Sequence, residues 1–217
     1  MHKISFVLCA SLCLVICACG PSAEQKAEQE RQRADSIATA EAEIAAKREA
    51  FLRDSIENAE KMRLKQSADS ALRAELLPGF TKIDESNGFT KYVVKGTSLK
   101  HNTTSAYVSF TVDNNRATDF EINVSLITSR WFDISKAILF IDDEKTEFSV
   151  DKPSDDVNDG VYREWFSSSI SSSELDKLEK ASKISVEVSN DKDDTRKISL
   201  NIANVKKTIK LYRAFGS

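Results

Sequence analysis

Residues 105–126, SAYVSFTVDNNRATDFEINVSL, contain two stretches in which apolar and polar side chains alternate. Asp113-Asn114-Asn115 separates them, and both stretches are rich in β-branched and aromatic residues. Alternation with a period of two predicts a β-strand with one face in water. Asn and Asp are typical of tight turns because they tolerate the left-handed backbone conformation. The stretch therefore predicts two strands joined by a turn.

The same period continues on both sides of this stretch. Further strands are predicted at 89–94, 134–141, 146–150, 162–169, 184–188 and 196–202. Residues 171–178, SSSELDKL, predict a short capped helix. Residues 204–215 predict a C-terminal helix that packs Val205, Ile209 and Tyr212 on a sheet. The fold class is thus α+β, with residues 79–217 forming a β-rich domain that resembles an antiparallel sandwich.

A different composition precedes this domain. Between Pro21 and Pro78 the chain has neither glycine nor proline and is dominated by strong helix formers, which predicts a long helix. We expect it to be a solvated spacer, residues 19–78, supported by opposite charges four residues apart: Glu43 with Lys47, Glu49 with Arg53 and Glu57 with Lys61.

An alternative for this helix is a weak homo-oligomeric coiled coil. Ile37, Ile44 and Phe51 are spaced by seven, as in one seam of a coiled coil. The register then meets Asn58 and Lys65, so the heptad is not sustained.

The first residues of the chain predict export. A short basic start is followed by an apolar run that ends in Ile16-Cys17-Ala18-Cys19, and the run is shorter than the roughly 20 residues of a spanning helix. This order resembles the lipobox leader of bacterial lipoproteins. The resemblance implies a signal peptide at residues 1–18 and lipidation, with acyl chains such as palmitate, at Cys19. Gly20 in place of an aspartate favours the outer membrane, on its periplasmic or its surface face.

Cysteine usage agrees with export of a lipoprotein. Three of the four cysteines lie in residues 1–18 and the fourth is Cys19, so the mature chain can form neither an internal disulfide nor a thiolate metal cluster.

A short motif recurs within the spacer: Asp35-Ser36-Ile37, Asp54-Ser55-Ile56 and Asp69-Ser70-Ala71. It resembles an O-glycosylation acceptor of one group of Gram-negative bacteria. The resemblance implies that Ser36, Ser55 and Ser70 carry sugars. The alternative is that Asp and Ser are simply common in a polar helix.

Most catalytic chemistry is disfavoured by the composition. His101 is the one histidine outside the leader, whereas zinc sites and nucleophilic hydrolases need several ligands or a base beside the nucleophile. No phosphate-binding glycine motif occurs. Residues 151–160 are rich in oxygen ligands, but an EF-hand register from Asp155 places Val157 and Phe166 at ligand positions, so we predict a surface turn. A net charge of −3 does not indicate nucleic-acid binding. We expect no enzyme activity, no metal and no cofactor.

Two sets of side chains remain as candidates. Trp131 and Trp165, each followed by Phe, are candidate binding residues for a sugar or a protein; the alternative is that they form the core of the domain. Glu121, Glu147 and Glu164 could serve a glycan hydrolase, but on alternating strands we expect them to face water.

Residues 131–212 also resemble, by pattern alone, small β-rich accessory domains of bacterial lipoproteins, and no catalytic residue is implied by that likeness. Together these observations predict a lipid-anchored cell-envelope protein whose helical spacer displays a non-catalytic binding domain. Its partners would be the membrane, through the lipid, and an envelope protein or glycan. The alternatives are a glycan hydrolase and an oligomeric coiled-coil scaffold.

Overall fold

The computed structural model describes residues 22–85, 88–97, 103–148, 150, 153–158 and 160–216. The leader at residues 1–18, Cys19 and His101 lie outside these residues. In chain order the elements are α1 (Ala23–Leu76), a 3₁₀ turn (Leu77–Gly79), β1 (Phe80–Asp84), β2 (Thr90–Val94), β3 (Ser105–Asp113), β4 (Arg116–Thr128), β5 (Ile134–Ile141), β6 (Glu144–Phe148), β7 (Ser154–Asn158), β8 (Val161–Ser169), α2 (Ser172–Lys180), β9 (Ile184–Asn190), β10 (Thr195–Ser199) and α3 (Ile202–Ala214).

Contacts within the chain define two compact units, Met1–Met62 and Arg63–Ser217. In the first unit, every described residue is exposed, and Phe51 is exposed by 73%. The helix there depends on its backbone propensity and on local charge pairs. Lys47 pairs with Glu43 and Lys61 with Glu57, both at 2.7 Å, as predicted.

The third predicted charge pair, Glu49 with Arg53, does not form among the described residues of α1. None of the helices that the structure describes is both long enough and apolar enough to cross a membrane.

The second unit contains two antiparallel sheets. One has six strands in the order β1-β2-β3-β4-β8-β7, and the other has four in the order β10-β9-β5-β6. The predicted α+β class is confirmed: a long N-terminal helix precedes two antiparallel sheets, a short helix and a C-terminal helix.

One apolar cluster joins both sheets and both short helices. Its densest part is aromatic: Phe110 of β3 is fully buried and touches the rings of Phe80, Tyr92, Tyr212 and Phe215 at centroid distances of 5.3–6.4 Å. The predicted inner face of α3 is confirmed, since Val205, Ile209 and Tyr212 are all buried.

The hairpin between β3 and β4 has the turn that its residues favour. Asn114 and Asn115 have φ values of 47° and 64°. Positive φ at both central residues is the mark of a type I′ turn, whose twist matches that of the flanking strands. The sequence prediction of this turn is confirmed.

The capped short helix is also confirmed. The Ser171 hydroxyl accepts from the Glu174 N–H, and the Glu174 side chain accepts from the Ser171 N–H. This capping box satisfies two backbone donors that a helix start leaves without partners.

Several strands differ from the prediction. No strand was predicted at 80–84 or at 154–158, where β1 and β7 lie, and β7 replaces the predicted surface turn. β7 is exposed throughout, and its Asp155 and Asp156 give no sequence signal for a strand; it forms because β8 supplies its hydrogen-bonding partner. β6 begins and ends two residues earlier than predicted, and β10 ends at Ser199 because Asn201 caps α3.

Asp142 ties the turn between β5 and β6 to the start of β9. Its Oδ1 accepts from the Ser182 hydroxyl at 2.7 Å and from the N–H groups of Ser182 and Lys183 at 2.9 and 2.8 Å. The Ser182 hydroxyl, followed by the Lys183 and Ser182 amides, lowers the pKa of Asp142 below its ordinary value of 3.8.

A lowered pKa in the folded state stabilises the fold above the ordinary pKa, and that contribution is lost as the pH falls through the folded value. We therefore expect Asp142→Asn to be less stable than the wild type at pH 7, with the gap closing below pH 3.8. Asparagine tolerates the Asp142 φ of 52°, so the substitution changes charge alone. Urea unfolding followed by tryptophan fluorescence at pH 7 and pH 3 measures the difference in stability between wild type and variant. The control Asp143→Asn should show no such difference. An equal difference at both pH values would contradict the role assigned to the Asp142 carboxylate.

Candidate binding site

A polar cleft of about 410 Å³ lies beside the segment that passes from one sheet to the other, residues 129–133. The turn between β9 and β10 forms its opposite side. Trp131 projects here and is 38% exposed. The lining carries three cations and three carboxylates, which balance: Arg130, Lys192, Arg196, Asp133, Asp191 and Asp194.

A buried carboxylate holds the segment that carries Trp131. Glu164 on β8 is only 3% exposed. Its Oε1 accepts from the Phe132 and Asp133 N–H groups at 2.7 and 3.0 Å, and its Oε2 accepts from the Ile134 N–H at 2.8 Å. Three hydrogen bonds to one carboxyl group fix this backbone at one position.

The ring of Trp131 is supported on one side. It meets the Tyr162 ring edge-on at a centroid distance of 4.9 Å. The next residue, Phe132, is buried under the Arg196 guanidinium, 5.9 Å from the ring centroid. Asp133 has a φ of 59°, in the left-handed region that residues other than glycine seldom adopt. A buried carboxyl group and a left-handed Asp133 thus lie beside an indole that is held at the surface.

The two Trp-Phe pairs separate in the same way. Phe132 and Phe166 are buried, so the core interpretation is right for the phenylalanines. It is wrong for Trp131, which is exposed. Trp165 is half-buried on β8, where side chains alternate between faces, and it points away from the face that carries Tyr162 and Glu164. The structure therefore does not bring the two candidate tryptophans together.

The three candidate carboxylates do not form a pair across the cleft. Glu121 pairs with Lys91 at 2.7 Å on the six-stranded sheet, and Glu147 pairs with Lys136 at 3.1 Å on the four-stranded one. The expectation that Glu164 faces water is wrong, because Tyr162, Glu164 and Phe166 share the inner face of β8. The sequence indicates this orientation, since Glu164 lies between two aromatic residues at alternate positions of the strand.

A larger groove of about 570 Å³ is bounded by α2, α3 and the last turns of α1. Arg213 lies in it and pairs with Asp176 and Glu179 at 2.5 and 2.7 Å. Among the described residues, the groove has no exposed aromatic side chain in its lining, so it offers a ligand less than the Trp131 cleft does.

No family model matches the chain, and neither the search of curated proteins nor the search of solved structures returned a match. The site is therefore defined by its geometry alone.

The remaining candidate residues are the three serines of the spacer. Ser36, Ser55 and Ser70 are exposed on α1, as an acceptor of sugar must be. In the part of the chain that the structure describes, no group of three or more His, Cys, Asp or Glu side chains could hold a metal ion.

Proposed function

We propose that this protein is a lipid-anchored envelope protein of the outer membrane that displays a non-catalytic binding domain on a helical spacer. The observation that carries the binding role is the Trp131 cleft, where three hydrogen bonds to Glu164 hold the segment of an exposed indole. Preformed concave sites with a few fixed polar groups are the usual form of small-ligand sites. The ligand is a glycan or an envelope protein, and binding requires neither a cofactor nor catalysis.

The spacer and the anchor have separate support. Every described residue up to Met62 is exposed, which suits a solvated spacer. The leader resemblance places the lipid on Cys19, and each buried methylene of its acyl chains adds about 0.8 kcal/mol to membrane attachment.

We expect Cys19→Ser to abolish acylation and to shift the protein from the membrane fraction to the soluble envelope fraction. Cell fractionation measures the shift, and mass spectrometry of the wild-type N-terminal peptide should find an acylated Cys19. Cys17→Ser is the matched control, because it makes the same change two residues earlier and should leave the anchor intact. An intact leader on the native protein, or a Cys19 without lipid, would refute the anchor.

A spacer decorated with sugars at Ser36, Ser55 and Ser70 belongs to the same proposal. All three serines are accessible, and bulky glycans would protect an exposed helix from proteolysis.

One observation favours a second candidate, the oligomeric scaffold. Ile37, Ile44 and Phe51 are 60%, 61% and 73% exposed and share one side of α1. A second copy could cover them, although the polar residues that follow in the heptad weaken such a seam.

A further inference from the structure

We propose that the Trp131 cleft binds a neutral or zwitterionic saccharide, with Trp131 as the surface on which a sugar ring stacks and Glu164 as a positioning residue. This inference rests on the proposed binding function and names its ligand class.

The size of the cleft favours a small ligand over a protein. Protein interfaces commonly bury about 800 Å² on each partner and have cores depleted of charge. The Trp131 cleft is concave, has a volume of about 410 Å³ and is ringed by six charged side chains. One aromatic face among polar groups matches a sugar ring, which has an apolar C–H face and a rim of hydroxyl groups.

The charge of the lining limits the ligand further. Three cations and three carboxylates leave no net charge at the cleft. Anionic polymers and phosphate groups bind where cations dominate. A neutral or zwitterionic saccharide fits the balance better than a nucleotide, which could also stack on an indole.

Several charged side chains of the cleft are available to hydrogen-bond with hydroxyl groups of a ligand. Asn190 and Asp194 hydrogen-bond to each other within the β9–β10 turn. By contrast, the side chains of Arg130, Asp133 and Asp191 make no hydrogen bond or ion pair within the described residues. Donors and acceptors thus line the same cleft as the indole.

Glu164 acts through the backbone and not through the ligand. It is buried, and its two oxygens accept from the three N–H groups that follow Trp131. When the segment is held in one conformation, binding does not have to order it, and preorganisation of this kind raises affinity.

The experiment uses the full-length protein with Trp165→Phe, which leaves Trp131 as its single tryptophan. Trp131 fluorescence is titrated with cellobiose, N,N′-diacetylchitobiose, digalacturonate, AMP and the neutral oligosaccharides released from the envelope of the source cells. We expect a saturable change with at least one neutral or N-acetylated saccharide, and weaker or no change with digalacturonate and AMP.

Three variants in the same background separate the roles. Trp131→Phe should retain binding, whereas Trp131→Ala, measured by calorimetry, should weaken it about tenfold or more. Glu164→Gln should weaken binding about tenfold. It should also lower the fluorescence anisotropy of Trp131 in the free protein while the far-UV circular dichroism of the fold persists, which a general loss of structure would not produce.

Each other outcome overturns the inference. Tighter binding of AMP or digalacturonate would contradict the neutral ligand, and binding that survives Trp131→Ala would contradict the stacking role. If no saccharide changes the fluorescence but the protein crosslinks to an envelope protein through Trp131, the saccharide ligand would be wrong. The proposed binding function would then remain. If neither a fluorescence response nor crosslinking is found, both the saccharide ligand and the proposed binding function would be wrong.

Discussion

Phe110→Ala should lower the free energy of unfolding of the β-rich unit by about 3–5 kcal/mol, the range found for large aromatic residues removed from a core. Phe110 is fully buried and touches four other rings, from β1, β2, α3 and the residue after α3. The substitution leaves a cavity at the point where these elements meet. Urea unfolding followed by the fluorescence of Trp131 and Trp165 reports this unit, since both lie within residues 63–217.

Phe51→Ala is the matched control for Phe110→Ala. The same side chain is removed from α1, where it is 73% exposed. We expect a change within about 0.5 kcal/mol, as for ordinary surface substitutions. A fall in the solution mass of Phe51→Ala relative to the wild type would show that Phe51 is covered by a second copy and would favour the coiled-coil scaffold.

Glu164→Ala is expected to destabilise the fold by about 3–5 kcal/mol, because three backbone N–H groups lose their shared acceptor. The substitution leaves the N–H groups of Phe132, Asp133 and Ile134 without their acceptor. Each unsatisfied buried donor costs about 1–3 kcal/mol, partly recovered where water enters. Thermal unfolding followed by near-UV circular dichroism measures the loss.

Two variants bracket the effect of Glu164→Ala. Glu164→Gln keeps one acceptor oxygen and should lose less, about 1–3 kcal/mol. Glu147→Ala removes an exposed glutamate whose ion pair with Lys136 is a surface pair, worth about 0–1 kcal/mol. Equal losses at Glu164 and Glu147 would contradict a specific role for the buried carboxylate.

Local patterns allowed much of the fold to be predicted. The turn at Asn114 and Asn115, the cap at Ser171 and the long exposed helix depend on interactions between residues a few positions apart. β7 was missed for the opposite reason. β7 has a polar, exposed sequence and becomes a strand only because β8 lies beside it.

The candidate site could be predicted only in part. Trp131 was a candidate from its residue type, but its partner Tyr162 and the opposite turn at Asn190–Asp194 are distant in sequence. Trp165 had the same sequence signal and lies on the other face of β8. The residue type therefore identified candidates without separating the exposed indole in a cleft from the half-buried one outside it.

The sequence by itself determined the α+β class, the extent of the long helix, the β3–β4 hairpin and the capped short helix, because periodicity, turn residues and caps act over a few residues. Only the tertiary structure decided that Glu164 is buried and that it holds the segment of Trp131. The acceptor and its donors are 30–32 residues apart in the chain. They meet because β8 pairs with β4, and the residues that follow β4 lead to β5 in the second sheet. A contact that depends on strand pairing has no local signature in the sequence.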